Sequence, residues 1–213
     1  MLSGQWAGVP FAERSQRLLG DNPPVTLTLA ELTGYTDRGL DADLARWFPD
    51  ADPVSIPTET RAVEPFLERL APADAAALAA FDRRVRSGRM PQFLDIFEWS
   101  YAFDFAANGC GILDADYSTE LADDDVFSLG ADGGGNLYVL LTTGQVAVWF
   151  HEEEVLEGDT RFDNLDVFLW SYVRYRAVRA GRLALADIEA DFTALGQDGA
   201  LAEELGLLSR ISQ

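Results

Sequence analysis

The stretch from Val126 to His151 narrows the fold more than any other part of the chain. Val126-Phe127-Ser128-Leu129 has the apolar, aromatic character of a short strand, and Ala131-Asp132-Gly133-Gly134-Gly135 is a turn. Asn136–Thr142 then reads as a second strand, Thr143-Gly144 as a second turn and Gln145–His151 as a third strand. A two-residue loop at 143–144 pairs Leu141 with Val146, Val139 with Val148 and Leu137 with Phe150, six apolar residues on one face. The other face carries Tyr138 opposite Trp149, with Leu140, Ala147 and His151. This register predicts that the first face packs on helices and that the Tyr138/Trp149 face is either covered by another layer, the favoured reading, or available to a partner.

Helical patterns surround this meander. Phe11–Leu19 reads as a short helix ended by Gly20 and blocked by Asn22-Pro23-Pro24. Val25-Thr26-Leu27 is either a brief strand or the lead into a helix capped by Thr28, with Glu31 three residues on. Pro49, Pro53 and Pro57 make 48–58 a loop, and helices are expected at Glu59–Leu70 and Ala73–Ser87, the latter stopped by Gly88. Phe93, Phe97, Tyr101 and Phe105 recur every four residues, as on one buried side of a helix that ends at Asn108-Gly109-Cys110-Gly111. Asn164 caps an expected helix from Leu165 to Ala180, and further helices are expected at Leu183–Leu195 and Ala200–Ile211. The expected fold is therefore α+β: one domain over 1–213, with a small antiparallel sheet covered by helices. Residues 1–90 form its mostly helical N-terminal part and 181–213 its C-terminal helices.

Charge limits the function. The 213 residues carry 36 acidic side chains against 16 basic ones, a net charge of −20, and every basic residue is arginine. Residues 91–166 hold 17 acids and the single Arg161, a balance of −16. Residues 1–90 hold 13 acids and 10 arginines, and 167–213 hold 6 and 5. One reading is solubility in an acidic proteome; the other is a surface shaped for a basic partner. A general solubility trend would spread the acids evenly, and here they are concentrated. Phosphate backbones repel such a chain, so nucleic acid is not an expected partner. No run of 18 apolar residues suggests a membrane span, and Met1–Trp6 lacks the basic and apolar regions of a secretion signal. A lone cysteine, Cys110, suits a reducing cytoplasm.

Enzyme chemistry finds few components. His151 is the single histidine, at a strand end before three glutamates, and no Gly-x-Ser-x-Gly elbow occurs. One His and one Cys are too few for the usual zinc sites. Asp114, Asp116, Ser118, Glu120 and Asp125 partly imitate a calcium loop, but Thr119 replaces its glycine and Asp125 its bidentate glutamate. The triple glycine is expected to serve a turn with positive φ, since no lysine accompanies it as in a phosphate cradle. No catalytic residue, metal or cofactor is assigned.

The run Phe127-Ser128-Leu129-Gly130-Ala131-Asp132-Gly133-Gly134-Gly135-Asn136-Leu137-Tyr138 resembles the strand, Gly-rich turn and strand of the SUKH superfamily. Val146-Ala147-Val148-Trp149, the acidic loop after it and Asn164-Leu165-Asp166-Val167-Phe168-Leu169 are similar to that family's closing strand and helix. The resemblance covers about 85 residues within 91–180. It implies an α+β fold and a binding role: bacterial members are immunity proteins that block a toxin by direct contact, and fungal relatives include a cell-wall synthesis regulator. On this reading a cytoplasmic immunity protein masks the active site of a basic, nuclease-type toxin. Asp123, Asp124, Asp125, Asp132, Glu152, Glu153 and Glu154 would face the toxin's cationic groups, with Tyr117 and Trp149 as aromatic anchors. The alternatives are a non-catalytic interaction scaffold of the same fold, and an acid-based hydrolase or calcium-binding protein.

Overall fold

The computed structural model describes residues 27–54, 61–88, 90–96, 98–101, 103–105, 112–114, 120–121 and 123–195. The expected helices at 11–19 and 200–211, and Phe97, Cys110, Asp116, Tyr117, Ser118 and Thr119, lie outside them.

The fold is α+β with a mostly helical N-terminal part. In chain order the helices are α1 (Leu29–Leu32), α2 (Tyr35–Arg38), α3 (Leu40–Trp47), α4 (Glu64–Leu67), α5 (Pro72–Arg86), α6 (Glu98–Tyr101), α7 (Leu165–Arg179) and α8 (Glu189–Ala194). The strands are β1 (Ile112–Asp114), β2 (Glu120–Leu121), β3 (Val126–Ala131), β4 (Leu137–Leu141), β5 (Val146–Phe150) and β6 (Val155–Phe162). They form one sheet in the order β2-β1-β6-β5-β4-β3. Strands β3 to β6 are an antiparallel meander, and β1 joins β6 in parallel. Strand β6 occupies what reads in sequence as an acidic loop.

The central hairpin is one residue out of the expected register. Leu140 faces Val146, Val139 faces Ala147, Tyr138 faces Val148 and Leu137 faces Trp149. The cause is the loop. Leu141 N donates to Gln145 O at 2.9 Å, which leaves Thr142, Thr143 and Gly144 as a three-residue loop. Gly144 takes φ +88, the left-handed final position that such a loop needs. The two faces of β4 are exchanged accordingly, while Val146, Ala147, Val148 and Trp149 of β5 keep the expected ones. Tyr138, Leu140, Val146 and Val148 pack on the helices, while Leu137, Val139, Leu141, Ala147 and Trp149 join Phe103 and Phe105 in a second cluster. Tyr138 and Trp149 therefore lie on opposite faces, and both are buried.

Helix α7 organises the rest. Asn164 accepts a hydrogen bond from Val167 N at 3.0 Å and Gly181 follows the helix at φ +66, so both ends are closed by the residues expected. One side meets the sheet, where Phe168 lies 5.0 Å from Tyr138 and 5.2 Å from Phe162, centroid to centroid. The N-terminal helices cover other sides. The backbone N–H groups of Gly34 and Thr36 both donate to the Asp166 carboxylate at 2.7 Å, which fastens the start of α2 to the first turn of α7. One continuous apolar cluster runs from Leu32 to Leu195, so the N-terminal helices and the sheet share a core.

The aromatic run 93–105 does not form one helix. Among the described residues of the run only Glu98–Tyr101 is helical, and before it Asp95 forms a bridge to β3, with Ala131 N donating to Asp95 O at 2.9 Å. Covering the outer edge of β3 outweighs the local four-residue spacing. Phe93 and Tyr101 enter the main core and Phe105 the second cluster.

Asp74, at the start of α5, lies against Gly144: a Cβ there would come within 2.5 Å of its carboxylate. Burial, and then the nearby Asp166 carboxylate, push the Asp74 carboxyl above its ordinary value of 3.8. A raised value means that the folded state holds this proton more tightly than the unfolded one. Its favourable contribution is present at low pH and is lost as pH rises through the folded value. Asp74→Asn is therefore expected to melt at a higher temperature than the parent at pH 7, with the gap closing by pH 3. Thermal unfolding at the two pH values measures this.

Candidate functional site

Alternation along the meander sorts the acidic residues. The β3–β4 and β5–β6 turns lie at one end of the sheet, whereas the entry to β3 and the β4–β5 loop lie at the other. Asp132 and Glu152, Glu153 and Glu154 share the first end. Asp123, Asp124 and Asp125 occupy the second, where Asp125 O accepts from Thr142 N at 3.1 Å. The acidic residues expected on a single side are thus divided by the length of the strands.

The first end is held by short-range hydrogen bonds. The Asp132 carboxylate accepts from Gly134 N at 2.6 Å and from Asn136 Nδ2 at 3.1 Å. Gly133 and Gly135 adopt φ +87 and +108, and each touches a neighbouring side chain. A Cβ on Gly133 would sit 2.7 Å from the Asp95 carboxylate, and one on Gly135 would sit 2.9 Å from the His151 ring. The glycine run thus serves positive φ and close approach, as the sequence suggests. Asn136 Oδ1 accepts from His151 N at 3.3 Å and lies 3.0 Å from Nδ1 of the same ring, which links the two turns. In sequence Asn136 is only the residue after three glycines, and its double role is a product of pairing between strands.

Residues His151–Glu154 are all exposed. The turn closes through Glu154 N donating to Phe150 O at 2.8 Å, and Glu154 itself has φ +57. A left-handed conformation costs an L-residue other than glycine roughly 1–2 kcal/mol. Asn tolerates it better, so Glu154→Asn is expected to stabilise the fold by about 0.5–1 kcal/mol in urea unfolding. No gain would mean that the turn relaxes around the glutamate at no cost.

The two ends differ electrostatically. At the second, Arg61 lies 4.0 Å from Asp124 and Arg69 is hydrogen-bonded to Asp125. Arg61 also donates to Val126 O at 2.7 Å, so these arginines fasten the N-terminal part to the edge of the sheet. At the first end no arginine among the described residues comes within 4.0 Å of Asp132 or Glu152–Glu154. Their charge is left to solvent, salt or a partner.

Two further expectations change. Trp149 is 3% exposed, packed 5.6 Å from Phe103 and 5.5 Å from Phe105, so it is a core residue and no surface anchor. Tyr117 lies outside the described residues. Asp114 and Glu120 of the calcium-like spacing lie on antiparallel β1 and β2, not on a loop between two helices. Among the described residues no group of three or more His, Cys, Asp or Glu is placed to hold a metal ion. None of their helices is long and apolar enough to cross a membrane. No family model, curated protein or solved structure matches the chain.

Proposed function

We propose that the protein is a SUKH-like immunity protein that binds a cationic toxin of the nuclease type and covers its active site. The observation that carries this reading is the end of the sheet formed by the β3–β4 and β5–β6 turns. There Asp132, Glu152, Glu153 and Glu154 are exposed or partly exposed and have no arginine in ion-pair reach among the described residues. Elsewhere on the surface several acids do meet an arginine, as Asp37 meets Arg83 and Asp41 meets Arg84. A nuclease must gather Lys and Arg to hold phosphates, and an unneutralised acidic rim is complementary to such a site. The resemblance of 127–138 and 146–169 to SUKH proteins supports the same reading, and the helix-covered meander fits the fold it implies.

Binding would be electrostatic in approach and steric in effect, with no chemistry on the partner. The test is capture of the product of the adjacent large gene by the purified chain, followed by co-expression of the two. Capture with relief of toxicity supports the proposal. Capture of a partner that is not toxic points instead to the scaffold reading, and absence of capture counts against both.

A further inference from the structure

Arg61, Arg69, Arg83, Arg84, Arg86 and Arg174 each lie within 4.0 Å of a carboxylate. The exposed Arg38, Arg46 and Arg182 have no carboxylate at that distance among the described residues. The last two line the same concavity, an open space of about 830 Å³ between the end of α3 and the segment after α7. Arg46 lies over the Trp47 ring at 5.3 Å, and Arg182 over the Phe48 ring at 5.6 Å. Arg182 donates one N–H to Trp47 O, which leaves the rest of its planar fork unused. Neither comes within 4.0 Å of a carboxylate among the described residues, although Asp50 and Asp187 line the same space. Opposite charges are therefore held apart around one opening. The volume falls in the ordinary range for small-molecule sites.

We propose that this concavity binds a small phosphorylated polyol. Two guanidinium groups stacked on aromatic rings suit a doubly charged phosphate monoester, which each can grip through two parallel N–H bonds. Asp50 and Asp187 are acceptors for hydroxyl groups on the same ligand. A simple anion would leave those carboxylates unused and face their repulsion, so the hydroxyls are part of the recognition. This site is separate from the acidic turns and does not depend on their role.

The test titrates the full chain with ribose 5-phosphate, ribose and inorganic phosphate at constant ionic strength, read by calorimetry and amide NMR shifts. Ribose 5-phosphate is expected to bind saturably at least tenfold more tightly than either control, with shifts centred on 46–50 and 181–187. Arg46→Met removes only an exposed side chain and is expected to weaken it tenfold or more without lowering the melting temperature. Arg182→Lys, which keeps a charge but not the planar fork, is expected to weaken it as well. Absence of saturable binding, affinity no better than that of inorganic phosphate, or an unchanged affinity in Arg46→Met would each overturn the proposal.

Discussion

Replacing Arg174 by methionine is expected to cost the fold about 3–5 kcal/mol, the range for stranding one charge of a buried pair. Arg174 projects from α7 and its Nη2 lies 2.9 Å from the Asp43 carboxylate, both side chains being almost fully buried. Its guanidinium stacks 4.1 Å from the centre of Trp170 and 5.0 Å from that of Trp47, and Nη1 donates to Trp170 O at 3.2 Å. The Tyr35 hydroxyl donates to Asp43 at 2.8 Å. Burial above all holds that hydroxyl in its protonated form, although the Arg174 charge works the other way. Methionine would fill the space and leave the carboxylate of Asp43 with a neutral donor as its remaining partner among these groups. Since whole domains are stable by about 5–15 kcal/mol, the single variant is expected to unfold at much lower urea concentration. The double variant Arg174→Met, Asp43→Leu removes both charges and is expected to recover most of the loss. A single variant within 1 kcal/mol of the parent would show that water reaches Asp43.

The second large effect concerns association. Reversing Glu152, Glu153 and Glu154 to lysine is expected to slow binding of a cationic partner about tenfold or more at low salt and to flatten the salt dependence. Folding should change little, because these side chains are exposed and none is ion-paired among the described residues. The same reversal at Asp123, Asp124 and Asp125 should behave differently. It would set lysines against Arg61 and Arg69, which now meet Asp124 and Asp125. Its main consequence is lost stability at the junction between the N-terminal part and β3, with a smaller effect on association. Stopped-flow binding at several salt concentrations, with urea unfolding of each variant, separates the two. Equal effects of both reversals on the rate would mean that the partner responds to net charge and not to one end of the sheet.

Much of this was legible in the sequence, for identifiable reasons. Helices α5 and α7 carry their own boundaries, with Pro72 and Gly88 around one and Asn164 and Gly181 around the other, and local rules suffice there. The hairpin register was not. Leu137–Leu141 and Val146–Phe150 are apolar at every position, because both faces of the sheet are covered. No polar residue marks an outer face, so a slip of one residue leaves the pattern intact, and only the backbone of Gly144 decides it. The Phe93–Phe105 spacing misled because pairing between Asp95 and Ala131 replaces helical hydrogen bonds. At the candidate site the turns were readable, as was the excess of charge. The division between two ends follows from strand direction alone. The neutralisation of one end does not, since Arg61 and Arg69 come from more than 50 residues upstream of the aspartates they meet.

Hydrogen exchange on the chain, alone and with its captured partner, shows whether the acidic turns form the binding surface. Slowed exchange concentrated at 132–136 and 151–155, with 123–126 and 142–145 unchanged, is the result predicted. Protection centred on the β4–β5 loop or on the exposed sides of α3 and α5, with the acidic turns unaffected, would contradict it.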